Sequence, residues 1–523
     1  MSSERYFDFL ATSAPAMQWP PSREMVIQGL GGLATLFIIH RIALIIYRIW
    51  FHPLSKFPGP TAFAMTNLLW LWKSNVDGTG QWLLRDLHRK YGPIVRVGAD
   101  RIDVDGSIGW TDIYGHHGAG KPEFSKIPGY FFPGDHETVI GARRDDHRRM
   151  RRTLNHAFSD AALREQEGLV KKYIALLIQR LGENADAKNV INIVSWLNFT
   201  TFDIIGDLSF GESFHSLDNN SYHPYVQGIF KGAKGDAISR VGRAYPILGA
   251  LVLSWLRHND MKLGEDNRLY AKAKARARMS LGAEPKDGRR DFMTYLLKTK
   301  NGATALTDSE ISGHAPLLVI AGSETTATAL SGLFFYLGNN PRGYETLANE
   351  VRDAFKNESD ITLLNTARLE FLSGCLNEAI RMYPPASDTP PRISPGAEIG
   401  GHYIAPGCIL SVSQLSTFYN PDNFHDPDNF HPERWLSPTH PLYDPAFAND
   451  NRAAFKPFSF GPRDCIGKNL AMSEMRLIMA SILFHYDFKL EEGQEDWQST
   501  QMIHGLWEKG PLNITMYRRK QLA

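Results

Sequence analysis

The sequence predicts one large α+β domain, mainly α with small β-sheets, and three observations carry that expectation. Thr307-Asp-Ser-Glu310 is a capping box that opens a long apolar-rich run to Leu337, stopped by Gly338-Asn-Asn-Pro341. At about 1.5 Å per residue this helix is a rod of roughly 45 Å, long enough to cross a large domain. Residues 160–300 are mostly helical by pattern, whereas Tyr91-Gly-Pro-Ile-Val-Arg-Val-Gly and Arg101-Ile-Asp-Val-Asp read as two short strands. A formal net charge of +1 with 22% charged residues gives no global bias toward nucleic acid. Cys375, Cys408 and Cys465 are too few for a disulfide framework, which suits a body that folds in a reducing compartment.

Taken in order, residues 1–24 form a mixed polar tail, and Met25–Tyr47 is apolar over a length that spans a bilayer. His40 and Arg41 interrupt it, so a transmembrane anchor with a snorkelling Arg41 competes with a helix lying on the membrane surface. No small-residue cleavage site follows, so the anchor is retained. Arg41, Arg48 and Lys56 on one side, against Arg5 and Arg23 on the other, favour a cytosolic body. Residues 48–60 contain Phe51-His-Pro-Leu-Ser-Lys-Phe-Pro-Gly-Pro60, a stiff extended connector to residues 61–523.

Gln81–Lys90 reads as a short amphipathic helix, and Gly106–Gly141 as an aperiodic loop rich in glycine and aromatics. Ala142–Ser159 carries six arginines in ten residues on a helical pattern, by itself a solvated charged face. Tyr245–Leu256 is apolar but too short to span a membrane, either a buried or channel helix or a membrane-dipping surface. Within the long helix, Pro316 predicts a local kink. Further along, Ala321-Gly-Ser-Glu-Thr-Thr326 puts a glycine that admits a flat ligand, Gly322, beside an acid and a hydroxyl that a helix interior disfavours, Glu324 and Thr325. Glu378 and Arg381 share one helix face at i and i+3, on its own an ordinary surface pair.

Phe458-Ser-Phe-Gly-Pro-Arg-Asp-Cys-Ile-Gly467 places Cys465 where a loop becomes a helix, and a helix start favours a thiolate, either a nucleophile or a metal ligand. Gly461 and Gly467 allow close approach of a large flat ligand, and Arg463 can reach an anionic group on it. The alternative is a buried cysteine capping a core helix.

Phe458, Gly461, Arg463, Cys465 and Gly467 match the F-x-x-G-x-R-x-C-x-G signature, so the chain resembles the cytochrome P-450 family of haem-thiolate monooxygenases over roughly residues 51–515. The resemblance implies haem b held by Cys465 as axial thiolate. It implies haem-propionate contacts from Arg392 and from His147 and Arg151, which occupy the W-x-x-x-R positions with His for Trp. By the A/G-G-x-D/E-T-T motif, Thr325 hydrogen-bonds bound dioxygen and Glu324 helps relay protons. Glu378, Arg381 and Arg434 would form a buried structural network, while Ser387–Pro390 and the turn at Met502–Trp507 would contact substrate.

No Gly-x-Gly-x-x-Gly strand-turn-helix unit is present, so electrons are expected from a membrane NADPH-cytochrome reductase, docking on a basic surface formed by Arg148, Arg149 and Arg152. The linker, the arginine-rich helix and the Ala-Gly-Ser-Glu-Thr-Thr motif together resemble fungal secondary-metabolism members such as the isotrichodermin hydroxylase type. That implies a lipophilic terpenoid or polyketide-type substrate, oxidised at the endoplasmic reticulum membrane by a single-pass enzyme with no nucleic-acid partner. Two other readings stay open: an oxygen-independent rearranging enzyme on the same fold, and a non-catalytic haem-binding carrier or sensor.

Overall fold

Thr307 caps the helix around which the body is built. Its hydroxyl accepts the Glu310 N–H at 3.2 Å while the Glu310 carboxylate accepts the Thr307 N–H at 2.7 Å, so two otherwise orphaned helix donors are satisfied reciprocally. The computed structural model describes residues 22–298 and 306–519, apart from 119, 121, 133, 248, 251–259 and 287. The later part of the Tyr245–Leu256 stretch lies outside the described residues. The central helix, Asp308–Gly338, continues through Pro316 without interruption in its assignment and is almost wholly buried from Ser323 to Leu337. It packs along Ile193–Phe210, itself buried on nearly every side, and against Glu370–Met382. Such all-round burial explains why both helices are apolar without a marked polar face.

Besides the hairpin of Ala397–Ile399 and His402–Ile404, two small sheets flank the helices. In the larger the order is Ile94–Arg96, Arg101–Val104, Ile409–Ser411, Arg392–Ile393 and Ser125–Lys126, with only the second and third strands parallel. The other places Asn513–Arg518 between Val190–Asn192 and Tyr486–Leu490. The region Gly106–Gly141 is therefore more ordered than its composition suggests. A short helix at Gly106–Gly109 is followed by a wide turn at Trp110–Tyr114, and Ser125–Lys126 joins the sheet edge.

At the N-terminal side, Arg23–Ile46 is a helix with no buried residue, and Arg23–Phe51 contains an 18-residue stretch of mean hydropathy 1.9, long and apolar enough to cross a membrane. The central helix passes the same test of length and composition, but 72% of its apolar stretch is buried, which marks it as core. The proline-rich connector is not extended. Its prolines exclude helix yet permit turns, and Leu54 and Phe57 bury themselves among the sheet residues Ile102, Val104 and Leu410. The Pro58 carbonyl accepts the Arg96 N–H at 2.7 Å, so the connector is fastened to the sheet.

Candidate active site

Cys465 sits on a loop that closes on itself, its N–H donating to the Phe458 carbonyl at 2.8 Å and the Asp464 N–H to the Gly461 carbonyl at 3.2 Å. Gly461 has φ +77°, and a Cβ there would stand 2.1 Å from the Tyr114 carbonyl oxygen. What approaches Gly461 is thus the Tyr114–Gly115 backbone, which corrects the expectation of a flat ligand at that glycine. Gly467 differs: a Cβ there would meet only the Cys465 sulfur, at 3.9 Å, so the space beside the sulfur is open. Cys465 is solvent-accessible. The protein packed around it pushes its thiol up, while hydrogen bonding from the Gly467 and Lys468 backbone pulls the other way. A bound metal ion would tip the balance to the thiolate, because coordination deprotonates the thiol. Phe458 stands half-buried beside the loop with the Lys468 ammonium 5.9 Å from its ring centre.

Around the Cys465 loop lies an excess of buried and half-buried cations. Lys126 stands directly opposite Arg392 on antiparallel strands, an arrangement that costs stability unless an anion intervenes. Arg392 is 5% exposed, its Nε has no hydrogen-bond partner, and among the described residues no carboxylate lies within ion-pair distance of it. Its guanidinium rests 5.1 Å over the Tyr114 ring. Burial drives the Lys126 pKa well down, and Arg392 and Arg463 push the same way. His147 is pushed down to about 3 by burial and then by Arg463, Lys126, Arg151 and Arg392, so its imidazole is neutral and keeps one N–H to donate.

Two members of the cluster already hold acids. Arg463 pairs with Glu123 at 2.9 Å and donates to the Ala142 carbonyl, and Arg151 pairs with Asp464 at 2.8 Å. Arg151 thereby grips the residue next to Cys465, a loop-holding contact in place of the anion contact expected for it. The open sulfur, the glycine beside it and cations lacking carboxylates together fit a porphyrin carrying two propionates: Cys465 toward the metal, Arg392, Lys126 and His147 toward the acidic edge.

The mostly buried central helix opens at Ala321, which is exposed, and at Gly322 and Thr325, which are half-buried. The Thr325 hydroxyl donates to the Ala321 carbonyl at 2.6 Å and stays accessible. A Cβ at Gly322 would lie 2.6 Å from Ile205 Cδ1, so the packing of the neighbouring helix also favours glycine there. Glu324 is 1% exposed and points elsewhere, into an ion pair with Lys509. One residue past Thr325, the Thr326 hydroxyl meets the carboxyl of Glu474 on the helix that follows Cys465, Lys468–His485, tying the two motif-bearing helices together. Burial pushes Glu474 up to about 8.

Glu378, Arg381 and Arg434 are brought together as expected. The Glu378 carboxylate takes Arg381 at 2.8 and 2.9 Å, Arg434 at 3.0 Å, the Trp435 indole N–H at 2.8 Å and the His431 amide at 3.1 Å. Their side chains are 0–1% exposed, so every partner compensates a buried charge.

The arginine-rich helix, Arg144–Asn155, departs from expectation. Arg149 forks onto Glu310, the capping residue of the central helix, and is not a free docking charge; Arg148 and Arg152 remain exposed. A cavity of about 510 Å³, lined in part by Trp70, Leu84, Tyr130, Arg240 and Thr389, runs between the sheet and the helix Pro224–Ala244. Thr389 lies within the Ser387–Pro390 stretch expected to contact substrate. Trp507, in the other such stretch, is buried with its indole N–H on the Pro384 carbonyl at 2.8 Å.

Lys126, Glu474 and Lys509 were not singled out by sequence reasoning. A lone lysine in an aperiodic loop carries no signal, and Lys509 none at all; Glu474 offered one, an acid within an otherwise apolar helical run.

Comparison with known proteins agrees with the geometry. The family model described as Cytochrome P450 matches residues 57–516. The chain is 41% identical over 480 residues to the cytochrome P450 monooxygenase astJ of Aspergillus oryzae, covering 91% of this chain and 94% of that one. It is 36% identical over 520 residues to the trichothecene C-15 hydroxylase of Fusarium sporotrichioides, covering 96% and 99%. To the trichothecene C-4 hydroxylase of Trichoderma arundinaceum it is 36% identical over 487 residues, covering 91% and 94%.

Proposed function

We propose that this chain, which belongs to the cytochrome P450 family, is a membrane-anchored monooxygenase that draws electrons from an NADPH-cytochrome reductase and oxygenates a lipophilic terpenoid or polyketide-type metabolite of a fungal pathway. The observation that carries the reading is the open Cys465 sulfur together with two opposed cations, half-buried Lys126 and buried Arg392, the latter without a carboxylate. Haem b held by a cysteine thiolate would supply dioxygen activation. Arg392, Lys126 and His147 would hold its propionates, and Arg151 holds the Cys465 loop through Asp464. The accessible Thr325 hydroxyl would donate hydrogen bonds and pass protons.

The cavity of about 510 Å³ bordered by Thr389, Trp70 and Leu84 supports entry of a small molecule of partly apolar character. Relatives named as trichothecene hydroxylases support hydroxylation as the reaction. The exposed apolar helix Arg23–Ile46 supports anchoring in the endoplasmic reticulum membrane with the body cytosolic, and Arg148 and Arg152 remain as docking charges for the reductase.

The test is turnover of candidate metabolites with NADPH, reductase and isotopically labelled dioxygen. One labelled atom in the product is expected. Product formed without NADPH and dioxygen would overturn the reading in favour of a rearranging enzyme.

A further inference from the structure

The cavity of about 510 Å³ takes cations from two sides. Arg101 comes from the strand Arg101–Val104, while Arg240 and Arg243 stand one turn apart near the end of the helix Pro224–Ala244. Arg243 is exposed, and Arg240 and Arg101 are half-buried. Like charges one turn apart repel, so the helix carries the pair at a cost in stability. Among the described residues no acid closes on either of them. Arg240 donates to neutral acceptors, the Tyr130 carbonyl at 3.0 Å and the Asn75 side-chain oxygen at 3.4 Å, and Arg243 donates to the Gly129 carbonyl at 2.9 Å. Arg101 Nε is buried without a hydrogen-bond partner, and its ion pair with Asp100 is a loose one at 3.9 Å.

The acids lining the cavity do not supply the missing charge. Asp103 is fully buried and committed to His88 at 2.9 Å and to the Ser411 hydroxyl. Asp388 accepts from the Tyr130 phenol, and burial pushes its carboxyl up, toward the neutral form. Asp236, on the same helix as Arg240 and Arg243, acts on both through space but lies outside the cavity wall. Arg240 and Arg101 both act on the Tyr130 phenol, so the cations converge on one part of the wall, and Trp70, Leu71 and Leu84 supply apolar surface to the same cavity.

We propose that this cavity selects a substrate bearing a carboxylate: a terpenoid- or polyketide-derived carboxylic acid whose charged end is held by Arg240 and Arg243, with Arg101, and whose hydrocarbon body lies on Trp70, Leu71 and Leu84. The inference rests on the reading of the chain as a monooxygenase of lipophilic metabolites and narrows its substrate class. A guanidinium presents a planar fork of donors that matches a carboxylate, and the carbonyl contacts of Arg240 and Arg243 leave several N–H groups of each for a ligand. A ligand that brings the anion supplies the charge the protein lacks; a neutral molecule of the same skeleton does not.

The experiment is equilibrium dialysis of the holoenzyme in a neutral detergent against two matched pairs, abietic acid and dodecanoic acid, each with its methyl ester. In wild type the acid of at least one pair should bind about tenfold or more tightly than its ester, a gap that narrows as salt is raised. Arg240→Gln and Arg243→Gln should each narrow the gap and leave ester binding unchanged, the double variant should abolish it, and Arg240→Lys should keep part of it. If the glutamine variants melt lower and lose acid and ester alike, the arginines only hold the Gly129–Tyr130 backbone and the proposal is wrong. A gap that survives the double variant overturns it as well, and so does a wild type that prefers no acid over its ester. Dialysis needs neither NADPH nor dioxygen. A protein that prefers acids yet yields no labelled product would therefore overturn the monooxygenase reading and leave the carboxylate site standing.

Discussion

Lys126 and Arg392 are register partners across antiparallel strands, two cations held face to face, Arg392 buried and Lys126 half-buried. Their mutual repulsion is a cost to the empty protein and an attraction for a dianionic edge. Arg392→Met or Lys126→Met should therefore have effects of opposite sign. The haem-free protein should melt higher, and the loaded protein should lose haem faster by roughly tenfold to a hundredfold, the equivalent of about 1.5–3 kcal/mol for a charge-assisted contact. Haem transfer to an apo-globin acceptor and melting curves of both forms measure the two. Equal destabilisation of both forms would show that these cations serve only the fold.

Glu474 sets a stability dependence on pH. Its folded pKa of about 8 lies above the ordinary 4.5, so between those values the folded state holds a proton that the unfolded state has released. Stability must then fall as pH rises through that window and be unaffected by this group below it, with an upper slope of about 1.4 kcal/mol per pH unit. Glu474→Gln, which mimics the protonated acid, should match wild type near the low end of the window and be more stable at the high end. Melting temperatures measured in pH steps test this, and parallel curves for the two proteins would contradict it.

Arg149 and its neighbours should separate into two kinds. Arg149→Glu places a second acid against Glu310 and should loosen the start of the central helix, lowering stability by about 1 kcal/mol or less for a partly exposed pair. Arg148→Glu and Arg152→Glu should leave stability nearly unchanged and slow reduction by the reductase at low salt, with the difference shrinking as ionic strength rises. Stopped-flow reduction over a salt series distinguishes them. Slower reduction from Arg149→Glu with no loss of stability would reverse the assignment.

Much of the site was legible because its signals are local. Cys465 with Gly461 and Gly467, the capping box at Thr307 and the Glu324-Thr325 pair each sit within a few residues of what makes them recognisable. What escaped depends on contacts between distant segments. Arg149 looked like a free surface charge because Glu310 lies 161 positions away, and Glu324 looked like a cleft residue because Lys509 lies 185 away. Gly461 was recognised as necessary without its main reason, since the Tyr114 backbone crowds it. The connector was misjudged because its prolines announce what it cannot form, while the burial of Leu54 and Phe57 depends on a sheet assembled from residues hundreds of positions apart.

The central claim is that Cys465 supplies the sulfur that holds the haem iron. It is tested most directly by the absorption spectrum of the reduced protein under carbon monoxide. Wild type should show the strongly red-shifted Soret band of thiolate-ligated haem, and Cys465→Ala should lose it; a Cys465→Ala protein that kept the band would mean that another residue ligates the iron.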